Sequence, residues 1–120
     1  MEDYKLGTME LRFAELIWEH APVASGELVK LCEKELSWKK STTYTMLRRL
    51  CQRGIFENQD GTVRVLQTKE EFQAGLSEQF VEESFGGSLP GFLAAFTTRK
   101  KLSDQEVEEL RRLIEENRRR

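Results

Sequence analysis

The sequence predicts a mostly α-helical fold that carries one small β-hairpin, and three observations lead to this class. Apolar residues recur at helical spacing in six segments of the 120-residue chain. Asp60-Gly61 separates two runs rich in β-forming residues, which is a strong hairpin signal. Capping boxes at Thr68–Glu71 and Ser103–Glu106 indicate where two of the later helices begin.

Three helices are expected before the hairpin and three after it. The early elements are a helix from an N-cap at Thr8 to Ala21-Pro22, a helix from an N-cap at Ser25 to about Ser37, a helix from about Lys40 to Arg53, and strands at Ile55–Gln59 and Thr62–Leu66. Of the three later helices, the first ends near Phe85, the second begins at the N-cap Ser88, and the third runs from Ser103 to the terminal arginines. The order predicts a winged helix-turn-helix domain at residues 1–67 and a helical dimerisation region at 68–120.

Composition argues against several classes of protein. No apolar run approaches the ~20 residues that a membrane span needs, and the polar start Met1–Lys5 is unlike a signal peptide, so a cytoplasmic protein without membrane insertion is expected. Two cysteines and one histidine are too few for a disulfide scaffold, a zinc finger or most metal enzymes. The sequence therefore predicts no catalytic residue, no metal and no cofactor.

The cysteines and the histidine have structural interpretations. Cys32 and Cys51 each lie among apolar residues at helical spacing, so both are expected to be small core thiols. His20 stands at the end of the first helix, where a cation suits the negative end of the helix dipole. A capping or surface role is expected for it.

Positive charge is concentrated in one window of the chain. The net charge of −2 divides into −4 over residues 1–38, +4 over residues 39–67 and −2 over residues 68–120. The basic window coincides with the third helix and the hairpin. Clustered positive charge on one element is the electrostatic footprint of phosphate binding.

The third helix has an outer face suited to the major groove of DNA. A helical wheel places the apolar residues on one side and hydroxyl and guanidinium groups on the other, and these groups can bond to base edges. An ordinary solvated face is the alternative, but the run Ser41-Thr42-Thr43 consists of mediocre helix formers that such a face would not need. The candidate DNA-binding residues are Lys39, Lys40, Ser41, Thr42, Tyr44, Thr45, Arg48 and Arg49, with Arg64 on the hairpin.

Aromatic residues are concentrated in the C-terminal region. Five of the seven phenylalanines lie within residues 68–98, and three short helices cannot easily enclose rings that bury roughly 150–250 Å² each. A two-fold interface would cover them and set two recognition helices one turn of DNA apart, whereas the alternative is the core of a monomer. The candidate dimerisation residues are Phe72, Leu76, Phe80, Phe85, Phe92, Phe96, Leu110 and Ile114.

Five segments carry a resemblance that covers nearly the whole chain. They are Leu11–Glu19, Trp38–Leu50, Arg53–Ile55, Phe85–Leu89 and Leu102–Leu110. These segments resemble the penicillinase-repressor (BlaI/MecI/CopY) family of winged-helix transcriptional regulators. The resemblance implies a homodimeric repressor whose winged helix reads an inverted-repeat operator in double-stranded DNA and whose C-terminal helices form the dimer.

The resemblance also implies routes of induction. In the β-lactam-responsive members, a membrane sensor acts indirectly and leads to proteolysis in the C-terminal region, commonly at an Asn-Phe bond. The corresponding position here reads Ala95-Phe96, which is the candidate cleavage site and departs from that pattern. Copper-responsive members carry a C-terminal cysteine cluster, and this chain has no cysteine after Cys51. Many members have Ser-Pro where this chain has Lys39-Lys40.

Two other classes of function have less support in the sequence. A winged helix used only as a protein-interaction module would bind its partner without regard to DNA, and the basic window disfavours it. An enzyme would need a nucleophile with its base or a metal cluster, and the sequence offers no such set.

Overall fold

The computed structural model describes residues 6–120, so the expectation about Met1–Lys5 lies outside the described residues. The chain divides into two compact units, the first ending at Gln79 and the second running from Phe80 to Arg120. The described residues form six helices and a three-stranded antiparallel sheet. The predicted winged helix-turn-helix with further C-terminal helices is confirmed. Within residues 6–120, no helix combines the length and apolar character needed to cross a membrane.

Three helices make up most of the first unit: α1 (Thr8–His20), α2 (Ser25–Leu36) and α3 (Lys40–Gln52). The two predicted N-caps are wrong by one residue, because Thr8 and Ser25 are the first helical residues. The caps are Gly7 and Ala24, which have no side-chain acceptor. At α1 the side chain of Glu10 accepts a hydrogen bond from the N–H of Gly7 at 3.2 Å instead.

The hairpin consists of β2 (Phe56–Gln59) and β3 (Thr62–Val65), as predicted. Asp60 and Gly61 have φ values of 52° and 82°, the positive pair that a tight type I′ turn requires. A further strand, β1 (Val23–Ala24), was not predicted; it pairs with β3 and gives the order β1-β3-β2. Two residues are too few to show the alternation that identifies a strand.

The core of the first unit joins all three helices to the hairpin. Its fully buried side chains include Phe13, Ile17, Leu28, Leu50, Phe56 and Val63. Trp18 covers one side of this core: its ring centroid lies 5.6 Å from that of Phe56, and its Nε1–H donates to the carbonyl of Gln67 at 2.9 Å. Such a core holds α3 against α1 and α2 and leaves its opposite face uncovered.

Helix α4 (Lys69–Phe85) begins in the first unit. The predicted capping box is confirmed, because Thr68 Oγ1 accepts from the N–H of Glu71 and Glu71 Oε1 accepts from the N–H of Thr68, both at 3.1 Å. Phe72 is only 5% exposed and lies 5.7 Å from Trp18 between ring centroids. The division between the units falls inside α4, whereas the boundary expected from the sequence precedes it.

The second unit contains the end of α4, α5 (Leu89–Thr97) and α6 (Asp104–Arg118). Both expected caps are present. Ser88 Oγ accepts from the N–H of Gly91 at 2.9 Å, and Ser103 Oγ accepts from the N–H of Glu106 at 3.1 Å. Glu106 Oε1 completes the box by accepting the N–H of Ser103 at 2.9 Å.

Candidate nucleic-acid interface

Helix α3 presents the outer face that the sequence predicts. Its inner side chains, Thr43, Leu47 and Leu50, are at most 2% exposed. The exposed residues of the helix are Lys40, Ser41, Thr42, Thr45, Arg48, Arg49 and Gln52. The exposed set therefore mixes hydroxyl, guanidinium and amide groups, which are the donors and acceptors that bond to base edges and phosphates.

The N-terminus of α3 is electropositive. Its N-cap is Lys39, which provides no side-chain cap, and the first turn contains no acidic residue. The first N–H groups of a helix have no partner within the helix, and the macrodipole adds positive potential there. With the exposed ammonium groups of Lys39 and Lys40, this end of the helix suits a phosphate of a nucleic-acid backbone.

Two neighbouring arginines of α3 have different surroundings. Arg49 Nη1 lies 3.8 Å from Glu10 Oε2 on α1, so this guanidinium is drawn toward the helix bundle. Arg48 is exposed and lines a hollow of about 220 Å³ with Tyr44, Leu47, Cys51 and Asn58. Arg48 is therefore better placed than Arg49 to reach a base edge.

Tyr44 is half-buried, and its hydroxyl is directed into the protein. It donates a hydrogen bond to Ser25 Oγ, at the start of α2, with an O···O distance of 3.3 Å. The sequence places Tyr44 among the candidate DNA-binding residues but gives no indication of this partner, which is 19 residues away.

The hairpin adds polar groups beside α3. Arg64 is exposed on β3 and lies opposite Glu57 of β2 in the antiparallel register. Opposite charges at such cross-strand positions attract each other. Asn58 and Gln59 are also exposed near the turn and are not among the predicted DNA-binding residues. Their place beside Asp60-Gly61, at the tip of the hairpin that follows the basic helix α3, is visible in the sequence.

A second hollow in the first unit has the wrong charge for nucleic acid. It has a volume of about 570 Å³ and is lined by Glu15, Trp18, Glu19, Val65, Thr68, Lys69 and Glu70. Lys69 Nζ already lies 3.2 Å from Glu15 Oε2, so the remaining carboxylates dominate the hollow. Phosphates would be repelled there, and the α3 face is the better candidate.

The second unit has an aromatic cluster and an apolar groove. Phe80, Phe85 and Phe92 have ring centroids 5.5 to 5.9 Å apart. A groove of about 340 Å³ is lined by Phe92, Leu93, Phe96, Leu102, Glu106, Glu109, Leu110 and Leu113. Leu113 and Ile114 of α6 are 61% and 58% exposed. The described residues of the second unit therefore leave apolar side chains in contact with solvent.

Two of the predicted dimerisation residues, Phe72 and Leu76, lie in the first unit and not in the second. Phe72 is part of the core of the first unit, and Leu76 packs against that core. The predicted cleavage position, Ala95-Phe96, lies within α5, where the carbonyl of Ala95 accepts a hydrogen bond from the N–H of Thr98.

The thiols and the histidine match their structural interpretations. Cys32 is buried and Cys51 is half-buried, and burial raises the pKa of both thiols, which disfavours the reactive thiolate. His20 is exposed in the last turn of α1, and its Nδ1 is 2.9 Å from the carbonyl of Leu16. Among residues 6–120 there is no group of three His, Cys, Asp or Glu side chains that could hold a metal ion.

The fold and its exposed basic helix define a winged helix-turn-helix protein. The penicillinase repressor family model matches residues 6–116, so the chain belongs to this family. It is 27% identical over 120 residues to the penicillinase repressor of Bacillus licheniformis, covering 97% of this chain and 94% of the relative. It is also 21% and 20% identical, over 115 residues, to the methicillin resistance regulatory proteins MecI of Staphylococcus aureus and Mammaliicoccus sciuri, covering 92% of this chain and 94% of each relative.

Proposed function

We propose that this protein is a homodimeric transcriptional repressor that inserts α3 into the major groove of a double-stranded operator. The observation that carries the proposal is the exposed face of α3, where Ser41, Thr42, Thr45 and Arg48 stand opposite a fully packed inner face. The names of the relatives, which are repressors and regulatory proteins, support the same function. A repressor acts where its operator DNA lies, so the proposal places the protein in the cytoplasm and gives it no catalytic role.

The proposal divides the work between two sets of residues. Lys39, Lys40 and Arg64 neutralise phosphates and so provide affinity that depends on salt rather than sequence. Ser41, Thr42, Thr45 and Arg48 contact base edges and so provide sequence preference, with Arg48 suited to bidentate bonding of a guanine. Tyr44 and Arg49 support these contacts from the edge of the face, because each already has a partner within the protein.

The proposed dimer uses the second unit. The occupant of its apolar groove is a second copy of the chain, which would cover Phe92, Phe96, Leu110, Leu113 and Ile114. Phe80 and Phe85 support this surface through their ring contacts with Phe92, whereas Phe72 and Leu76 are left out because they serve the core of the first unit. A two-fold dimer presents two copies of α3, which matches an inverted repeat.

The proposal includes an induction route in which a membrane sensor acts indirectly and leads to proteolysis at Ala95-Phe96. Since this bond lies in α5, local unwinding of the helix must precede its cleavage. Cleavage there would separate α6 from the rest of the chain and so divide the proposed dimer surface.

The test is a titration of the purified full chain with duplex DNA from its own upstream region and with a shuffled duplex. We expect the native duplex to bind more tightly at every salt concentration, and both affinities to fall as salt rises. Arg111→Gln, which changes an exposed guanidinium on α6, is the matched control and leaves both affinities unchanged. Equal affinities for the two duplexes would contradict a repressor that reads an operator sequence, and the absence of binding to either duplex at low salt would favour the protein-interaction module instead.

A further inference from the structure

Ser25 lies where three elements meet. Its Oγ accepts a hydrogen bond from the hydroxyl of Tyr44 on α3 at 3.3 Å. Its backbone N–H donates to the carbonyl of Gly61, in the turn of the hairpin, at 2.8 Å. As the first residue of α2 it also follows β1, which pairs with β3.

The carbonyl of Gly61 that Ser25 contacts lies in the turn between β2 and β3. Gly61 has a φ of 82°, a conformation that side chains rarely adopt, and it shares the turn with Asp60 at 52°. The carbonyl of Gly61 is therefore held in a fixed direction, and Ser25 bonds to it through the backbone whatever side chain stands at position 25. The hydroxyl of Ser25 is what extends this link to α3.

We propose that Ser25 is a positioning residue that sets the hairpin and α3 at the spacing needed to contact DNA together. The inference rests on the proposed function and extends it to a residue outside the DNA-contacting face. Tyr44 Oη acts through Ser25 and not by direct contact with a base. The same link gives the half-buried hydroxyl of Tyr44 a partner inside the protein, whereas Ser41, Thr42 and Thr45 of the same helix are exposed.

A double-mutant cycle tests the link. Tyr44→Phe and Ser25→Ala each delete one partner of the same hydrogen bond and keep the Ser25 N–H and the Gly61 carbonyl, so the backbone bond between them can still form. A neutral hydrogen bond is worth roughly 0.5–1.5 kcal/mol, so each single variant should weaken binding to the native upstream duplex by about twofold to twelvefold. The double variant should be no weaker than either single variant, because there is one bond to lose.

If Ser25 only stabilised the fold, its replacement would weaken binding to the native duplex and to a shuffled duplex by the same factor. We expect the loss on a shuffled duplex to be smaller than on the native duplex and the salt slope to stay unchanged, because no phosphate contact is removed. Thr45→Val provides the comparison: its loss of binding should add fully to that of Ser25→Ala, because Thr45 is exposed and takes no part in the Tyr44–Ser25 hydrogen bond. Ser77→Ala, an exposed hydroxyl on α4, should leave binding unchanged.

Hydrogen exchange of the Ser25 amide gives a readout without DNA. The proposal predicts faster exchange of this amide in Tyr44→Phe, since α3 no longer restrains the junction. If the wild-type chain binds no native duplex but this exchange changes, the proposed function fails while the junction stands. Fully additive losses in the cycle, no loss in either single variant, or unchanged exchange would each overturn the positioning role.

Discussion

At the scale of single residues, the fold separates two arginines that the sequence treats alike. Arg48 and Arg49 are adjacent, and both fall on the outer half of the helical wheel. Glu10, 39 positions earlier in the chain, draws Arg49 toward α1. This contact is non-local, so no pattern within α3 could have predicted it, whereas the exposure of Arg48 follows directly from the helical period.

The two arginines are therefore expected to differ when mutated. Arg48→Ala should weaken binding to the native duplex by roughly 1–3 kcal/mol and relax the preference at one base pair. Arg49→Ala should weaken binding to the native duplex by less than about 1 kcal/mol, because the guanidinium of Arg49 is engaged in an exposed ion pair with Glu10. Competition with single-base variants of the duplex measures both effects. Equal losses from Arg48→Ala on native and shuffled duplexes would contradict its role in base contact.

Lys40 is expected to act on affinity alone. It is exposed in the first turn of α3, where the helix terminus favours a phosphate. Lys40→Ala should weaken binding to every duplex and make the slope of log affinity against log salt shallower by about one unit. The slope is measured by titration at several salt concentrations. An unchanged slope would mean that the ammonium group contacts no phosphate.

At the scale of secondary-structure elements, local signals were sufficient for most boundaries. The hairpin turn and the capping boxes of α4 and α6 are set by residues within a few positions of one another. Strand β1 and the Ser25 junction depend on pairing with β3 and α3, so they arise only once the tertiary structure forms. The exposed face of α3 could also be predicted from local signals, because exposure along a helix follows its periodicity.

The capping box makes the stability of helix α6 depend on pH. The N–H and the hydroxyl of Ser103, with a smaller contribution from Lys100, hold the pKa of Glu106 below its ordinary value of 4.5. A lowered carboxyl pKa stabilises the helix fully above pH 4.5, and the effect is lost as the pH falls through the pKa of the folded state. Circular dichroism should therefore show α6 fraying below this range.

Replacement of Ser103 isolates the capping effect. Ser103→Ala removes the side-chain acceptor and should destabilise α6 by about 1 kcal/mol at neutral pH, as N-cap substitutions usually do. It should also reduce the loss of helicity on acidification, because Glu106 then has less interaction to lose. Thermal melts at pH 7 and pH 3 provide the measurement. An identical acid response in the variant would show that the box does not contribute.

At the scale of the whole molecule, the proposed dimer links the two units in function. Leu113 lines the apolar groove and is largely exposed in the single chain, so Leu113→Asp should leave the fold intact and prevent association. Sedimentation equilibrium should then report a monomer, and binding to the native duplex should weaken because one copy of α3 contacts one half-site. Arg112→Gln, at an exposed position that helical periodicity places opposite Leu110 and Ile114, is the control. A dimeric Leu113→Asp variant would place the interface elsewhere.

A hydroxyl-radical footprint of the full chain on its own upstream DNA tests the central claim most directly. If two copies of α3 occupy the major groove, two protected segments should appear whose centres are about one helical turn, roughly 34–36 Å, or a multiple of it apart. Protection should be lost in parallel at both segments as Leu113→Asp replaces the wild-type chain. Uniform cleavage along the fragment at saturating protein and low salt would contradict the account.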